Sequence, residues 1–289
     1  MSQIVLQTTG NMTQKEKAER FHQLHHAGKM FILPNIWDPL GALLIESLGY
    51  PAIATASAAI AYANGYHDRE KISFSDLLVL LKKITQSVNV PVTADVESGY
   101  AKNDVQLEEN VKRLIESGVV GINIEDTDHN TSSFLSEEAQ CRRIRTIRKA
   151  ANEMGIPLFI NARTDVYLNE ARFPTEELKV GEAIKRGLGY KEAGANGFFP
   201  ITIKYERNIK EVLAQVKLPL NIIAMPGIPD LKTLNNLGVA RLSLGPSLLK
   251  ISIRAMKEVA EQLKDFEGLS TITGNEITSD FLKKLISKN

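Results

Sequence analysis

Asp95 and Glu97 stand two residues apart in "VPVTADVESGY" (90–100), at the end of a short apolar run that begins after Pro91. Residues i and i+2 of a strand leave the same face, so the pair is expected to share one face of a buried strand end. Two carboxylates placed so close repel each other and lose hydration, a cost that a bound cation would offset. Oxygen donors with no His or Cys beside them favour a hard ion, Mg²⁺ or Mn²⁺, over zinc. Mg²⁺ keeps several waters, so some of the acids would reach it through water. The competing reading is an ion pair with a neighbouring strand, for which Arg163 is the obvious partner.

Other apolar runs end the same way. Asn123 and Glu125 share one face and precede Asp126; Asn161 and Arg163 share one face and precede Asp165. Thr55 and Ser57 end a second run, and Asn35, Trp37 and Asp38 end the first. Buried polar groups without partners are costly. Five such ends therefore read as one convergent polar site.

The elements that must position these residues are eight short apolar runs: 30–35, 52–57, 91–96, 121–126, 157–163, 197–201, 220–226 and 241–245. Amphipathic stretches lie between them. In "DVQLEENVKRLIESG", Val105, Leu107, Val111, Leu114 and Ile115 follow a 3.6-residue period and Gly118 marks the stop. "SEEAQCRRIRTIRKAANEMG" starts at a Ser136 cap and ends at Gly155. Eight strand–helix units predict an α/β fold, a (β/α)₈ barrel, with a doubly wound open sheet as the alternative. An extra helix is expected at 13–27 after a lead-in of about 12 residues, and a C-terminal helical extension at about 268–289. The whole of 1–289 is expected to be one domain, its barrel core at about 30–265. In such a barrel the site lies at the C-terminal strand ends, where these polar residues fall.

A net charge of +1 gives no reason to expect nucleic acid as a partner. No apolar stretch reaches 18 residues, so no membrane span is expected, and nothing at the start resembles a signal peptide. A cytoplasmic protein is the expectation. The single cysteine, Cys141, rules out an internal disulfide and a cysteine zinc cage.

The segments "LPNIWDPLGALLIESLGYPAIATASAAIA", "GYHDREKIS", "VPVTADVESGY", "GVVGINIED" and "NARTDVYL" together resemble the phosphoenolpyruvate mutase / isocitrate lyase superfamily, in order and spacing from about residue 30 to about 260. The resemblance implies a Mg²⁺-dependent barrel that makes or breaks a C–C or P–C bond beside a 2-oxo acid or its enolate. It implies Asp95, Glu97 and Glu125 as magnesium-site acids, Arg163 as the substrate-binding arginine and Asp68 as an active-site aspartate. Thr55, Ala56, Ser57 and Ala58 match the loop that holds the substrate carboxylate, and Asn123 joins them as a substrate contact. It also implies a homotetramer or dimer with the eighth helix exchanged.

Three departures qualify this. Glu97 stands where the family usually has Asp. Ser57 lies one step from the usual serine, which is Ala56 here. The cysteine loop of the isocitrate-type lyases is replaced by "TDHNTSSFLSEE", so His129 and Asn130 are expected in a short solvated loop and Cys141 in helix packing. The expected function is therefore lyase or decarboxylase chemistry on a small 2-oxo carboxylate. Phosphoenolpyruvate phosphomutase or phosphonopyruvate hydrolase is the alternative, and a non-catalytic metabolite-binding barrel is the alternative of another class. Lys204, "SLGPSLL" with Pro246 at the first helical position, and His22, His25 and His26 read as solvated or structural residues.

Overall fold

Helices that stop at a left-handed glycine hand the chain directly to the next strand. Gly118 (φ +94°) and Gly155 (φ +68°) do this after the two helices expected from the sequence. In the computed structural model, which describes residues 12–129 and 131–287, the chain begins with α1 (Gln14–His25), β1 (Phe31–Leu33), β2 (Asn35–Ile36) and α2 (Pro39–Ser47). It continues through β3 (Ile53–Thr55), α3 (Ser57–Ala63), α4 (Phe74–Ser87), β4 (Val92–Asp95), α5 (Asp104–Glu116) and β5 (Gly121–Glu125). A small hairpin follows, β6 (Thr127–Asp128) and β7 (Ser133–Phe134), then α6 (Glu137–Glu153), β8 (Phe159–Thr164) and α7 (Glu176–Glu192). The last units are β9 (Gly197–Pro200), α8 (Glu206–Val216), β10 (Asn221–Ile223), α9 (Leu231–Leu237), β11 (Arg241–Ser243), α10 (Ser247–Lys264), α11 (Leu269–Thr273) and α12 (Ser279–Ile286). The expected lead-in and Asn130 lie outside the described residues.

The sheet closes. β2, β3, β4, β5, β8 and β9 pair in that order, all parallel, and a bridge from Phe198 to Leu220 carries the sheet on to β10 and β11. β11 pairs with β1, which excludes the open sheet and gives a (β/α)₈ barrel. The expected first strand is split at Pro34, which has no N–H for a ladder. Its two halves serve different neighbours, β1 with β11 and β2 with β3. The Asn35 amide spans the split: Nδ2 donates to Thr55 O (2.7 Å), and Oδ1 accepts from the N–H groups of Leu244 (2.8 Å) and Gly245 (3.1 Å).

The N-terminal end of the barrel is plugged by α1. A capping box between Thr13 and Glu16 fixes its start. Phe21 packs edge-on against Phe31 and Phe159, and His25 stacks on Phe159 with centroids 3.8 Å apart. Around the barrel, α5 buries Leu107, Val111, Leu114 and Ile115, but Val105 is 71% exposed, so the apolar period starts later than expected. Pro246 occupies the N-cap of α10, one position before the expected one. α10 leans away from the barrel: Ile251, Ile253 and Met256 are each more than half exposed and only Leu249 is buried. Among the described residues no helix is long and apolar enough to cross a membrane.

Candidate active site

Asp95 and Glu97 do meet, though not through strand alternation. β4 ends at Asp95, and Glu97 sits in the turn beyond it with φ +51°, a left-handed conformation costly for a side chain of this size. The turn is held from outside. Asn110 of α5 donates to the carbonyls of Gly99 (3.1 Å) and Tyr100 (2.8 Å), and Arg143 of α6 donates to the carbonyl of Ser98. Gly99 has φ +89°, and a Cβ there would lie 2.8 Å from the Leu107 side chain, so any other residue would be strained. A second loop is clasped to it: the N–H of Glu70 donates to Glu97 Oε2 (2.9 Å), while Glu70 Oε1 accepts from Ser98 Oγ (2.7 Å) and the N–H of Tyr100 (2.8 Å). That clasp brings Asp68 to the same place.

Four carboxylates then face too few positive charges. Burial, followed by the charges of Asp68 and Asp95, pushes the Glu97 carboxyl up to about 8. Burial and Asp95 raise Asp68, whose Oδ1 is buried without a hydrogen-bond partner. Burial also raises Glu125, against the opposing pull of Arg163 and His129. Four acids with an orphaned oxygen fit a hard cation, the His129 imidazole being the one nitrogen beside them. The cage is not preformed: among the described residues, no three His, Cys, Asp or Glu side chains are placed to hold a metal ion. Each acid already has protein donors.

Those donors correct several expectations. Arg163 does not pair with Asp95 or Glu97. It lies directly beside Glu125 in the β5–β8 register, with Nη1 2.8 Å from Glu125 Oε2 and Nε 2.7 Å from Asp165 Oδ1. Burial disfavours its charge, but Glu125, Asp165 and Asp95 outweigh that and hold it protonated. His129 is not solvated: its side chain is 9% exposed and Nε2 reaches Glu125 Oε1 (2.6 Å) and Glu97 Oε2 (3.5 Å). Thr55 is fully buried and lines neither cavity of the site; its Oγ1 accepts the N–H of Asp95 (3.1 Å). Ser57 is committed to Asp95 Oδ2 through Oγ (2.8 Å) and N–H (3.2 Å).

Two cavities adjoin at the C-terminal strand ends. One, of about 380 Å³, is lined by Asp68, Glu97, Glu125, His129, Arg163 and Asp165 among others. The second, of about 310 Å³, shares Asp68, Ser57 and Arg163 and adds Asn35, Ala56, Ala58, Asp95 and Asn123. The structure thus gathers every expected site residue except Thr55 around one space. Lys204 lies over the Tyr205 ring (5.1 Å) and Cys141 packs in α6; neither lines these cavities.

Sequence reasoning missed Arg241. Its guanidinium is fully buried inside the barrel, donates to Asn123 Oδ1 (3.2 Å), and leaves Nε and Nη1 without partners. Burial lowers it to about 9, against the favourable charge of Asp95. Asn123 also accepts from Asn161 Nδ2 (2.7 Å), so its amide is locked from two sides. An Arg in a strand-like run was the available signal, since that residue is almost never buried unless paired.

A closed parallel barrel that gathers buried acids and an arginine at the C-terminal ends of its strands has the layout of a barrel enzyme. Within that class, residues 21–264 match the phosphoenolpyruvate phosphomutase family, and the chain belongs to it. It is 29% identical over 249 residues to an uncharacterised protein of Mycobacterium tuberculosis, covering 86% of this chain and 90% of the other. It is 25% identical over 264 residues to a 2-methylisocitrate lyase of Halalkalibacterium halodurans (88% and 84% covered). It is 26% identical over 244 residues to an oxaloacetate decarboxylase of Pseudomonas entomophila (81% and 80%). A solved structure of a candidate phosphonomutase from Burkholderia cenocepacia superposes with TM-score 0.81 at 32% identity, covering 86% of this chain and all of that one. A phosphonopyruvate hydrolase solved with oxalate and Mg²⁺ shares the fold at TM-score 0.82 and 21% identity, with 94% and 95% covered. The chain is an enzyme of the superfamily of C–C lyases and mutases that these relatives represent.

Proposed function

We propose that this enzyme is a lyase or decarboxylase that cleaves a carbon–carbon bond of a small 2-oxo carboxylate through an enolate, with Mg²⁺ or Mn²⁺ as cofactor. The observation that carries the reading is Arg163. Its guanidinium is pinned by Glu125 and Asp165 and borders both cavities, a fixed cation where an enolate's charge would develop. A divalent ion held by Asp95, Glu97 and Glu125 would supply Lewis-acid polarisation of the 2-oxo group.

The chain's own residues do the rest. Arg163 binds the substrate's oxygens and meets the charge that forms as the bond breaks. Ala56 and Ala58 line the wall against which the carboxylate sits, and Asn123, locked by Asn161 and Arg241, orients it. Ser57, being tied to Asp95, acts on that acid's position and not on the substrate. Asp68, raised by burial, can carry a proton beside the reacting carbon. No cysteine stands at the site to act as the lyase acid, since Cys141 is buried in α6. Decarboxylation makes the smaller demand, because CO₂ departs unaided and solvent can protonate the enolate. The second reading, P–C bond chemistry, is favoured by the likeness to the candidate phosphonomutase. The exposed apolar residues of α10 support an assembly of two or four copies that covers them.

A ³¹P and ¹H NMR screen with Mg²⁺ tests this, using oxaloacetate, phosphonopyruvate, phosphoenolpyruvate and methylisocitrate. The expected outcome is turnover of the 2-oxo diacid, negligible turnover of methylisocitrate, and loss of activity in chelator. Arg163→Ala should lower turnover by about 10²–10³. Efficient methylisocitrate cleavage, or full activity in excess chelator, would overturn the reading.

A further inference from the structure

His129 stands between two acids. Its Nε2 lies 2.6 Å from Glu125 Oε1 and 3.5 Å from Glu97 Oε2, and its side chain is almost wholly enclosed. The other oxygen of Glu125 is taken by Arg163. The ring therefore occupies the space in which an ion shared by Glu97 and Glu125 would stand. His129 is carried by the smallest sheet in the molecule, β6 and β7, joined by only two residue pairs, Thr127 with Phe134 and Asp128 with Ser133. The base of that hairpin is firmly held. Leu135 N–H donates to Asp126 O (2.8 Å), and Thr127 Oγ1 donates to Asp165 Oδ2 (2.6 Å).

We propose that His129 is a stand-in for the cation: it occupies the Glu97–Glu125 pair when no divalent ion is bound, and an ion entering the site displaces it and frees the tip of the hairpin. The inference rests on the reading of Glu97 and Glu125 as metal-site acids. It accounts for the lack, among the described residues, of a ready-made cage of three such side chains. The conformer seen has its acids tied to protein donors, so metal binding must first undo one of those ties. An ion then binds with an apparent affinity reduced by the fraction of molecules in which the imidazole still holds the acids. His129 is in this sense a positioning residue for the metal site and a built-in competitor for it.

The test measures ion binding directly, by titration calorimetry with Mg²⁺ and by Mn²⁺ electron paramagnetic resonance, on the full chain and on His129→Ala and His129→Gln. His129→Ala is expected to bind either ion more tightly, on the order of tenfold if the latched form holds about nine-tenths of the molecules, and His129→Gln to fall between. Amide hydrogen exchange at 127–134 is the second readout. In the wild type, exchange should speed up on adding Mg²⁺; in His129→Ala it should be fast already and indifferent to the ion. Unchanged or weaker ion binding in His129→Ala, with circular dichroism showing the fold intact, would overturn the proposal. Binding in neither protein, with Glu97→Gln equally without effect, would instead overturn the reading of the acids on which the proposal rests.

Discussion

Glu125 and Asp126 are consecutive residues, yet their carboxylates live in opposite circumstances. Asp126 is fully buried and completely answered: it accepts from Thr164 Oγ1 (2.6 Å), Tyr190 OH (2.7 Å), Arg186 Nη1 (2.9 Å) and the N–H of Asp165 (2.8 Å). Arg186 is itself capped by Glu182, by the carbonyl of Leu135, and by the Phe134 ring 4.1 Å away. Glu125 leaves in the other direction, into the space shared with Asp68, Asp95 and Glu97. There the carboxylates outnumber the cations and one buried oxygen has no partner. Donors enough to neutralise an acid make it part of the framework; a group of acids with fewer cations than carboxylates leaves work for a ligand.

The comparison breaks most visibly at Asp126. Asp126→Asn removes the fully buried partner of Arg186 and leaves its charge to Glu182 alone, and urea unfolding should show a loss of about 3–5 kcal/mol. Glu97→Gln, removing an acid from the crowded group, should cost little. Equal losses in the two variants would mean that both regions are structural.

A smaller effect should appear as pH dependence. Glu97 is raised in the folded protein to about 8, above its ordinary carboxyl value. Below that ordinary value both folded and unfolded chains hold the proton, and no stability is at stake. As pH rises from there towards 8, the unfolded chain has released the proton while the folded one retains it, so folding is progressively disfavoured. In chelator, wild-type Tm should therefore fall between about pH 5 and 8, while Glu97→Gln shows a flatter profile. Parallel profiles would remove Glu97 from the strained group. The smallest effect belongs to Cys141, which lies outside both regions. Cys141→Ser should leave turnover within about threefold, because a buried thiol of this kind acts as a small apolar group; a larger drop in steady-state kinetics would place the thiol in the chemistry.

The barrel was legible because its repeating unit is local. An amphipathic helix, a glycine stop and a short apolar run can be recognised without knowing any partner, and the closing of the sheet follows from the number of units. Arg163, Asp95 and Glu125 were legible for the same reason, as polar residues ending such runs. What escaped depended on contacts across the sequence. Glu97 seemed to face with Asp95 by strand alternation, whereas Asn110, Arg143 and Glu70 bend the chain after Asp95 and deliver Glu97 by a turn. Arg163 was matched to the wrong acids because only the β5–β8 register sets it beside Glu125. His129 looked like loop because two residue pairs of hairpin are too little pattern to read. Arg241 defies the rule that an unpaired charge stays outside, and its residue type inside a strand-like run is the only signal it gives.

Asn35 gives the barrel mouth a chemical weakness of its own. One amide joins the halves of the split first strand to both neighbours, its nitrogen donating one way and its oxygen accepting from the other. An aspartate of the same shape could still accept from Leu244 and Gly245, but it has no hydrogen to offer Thr55 O and would repel it. Exchanging this one amide for a carboxylate would therefore loosen the ring at its cavity-bearing rim while leaving the floor, with its aromatic plug, intact.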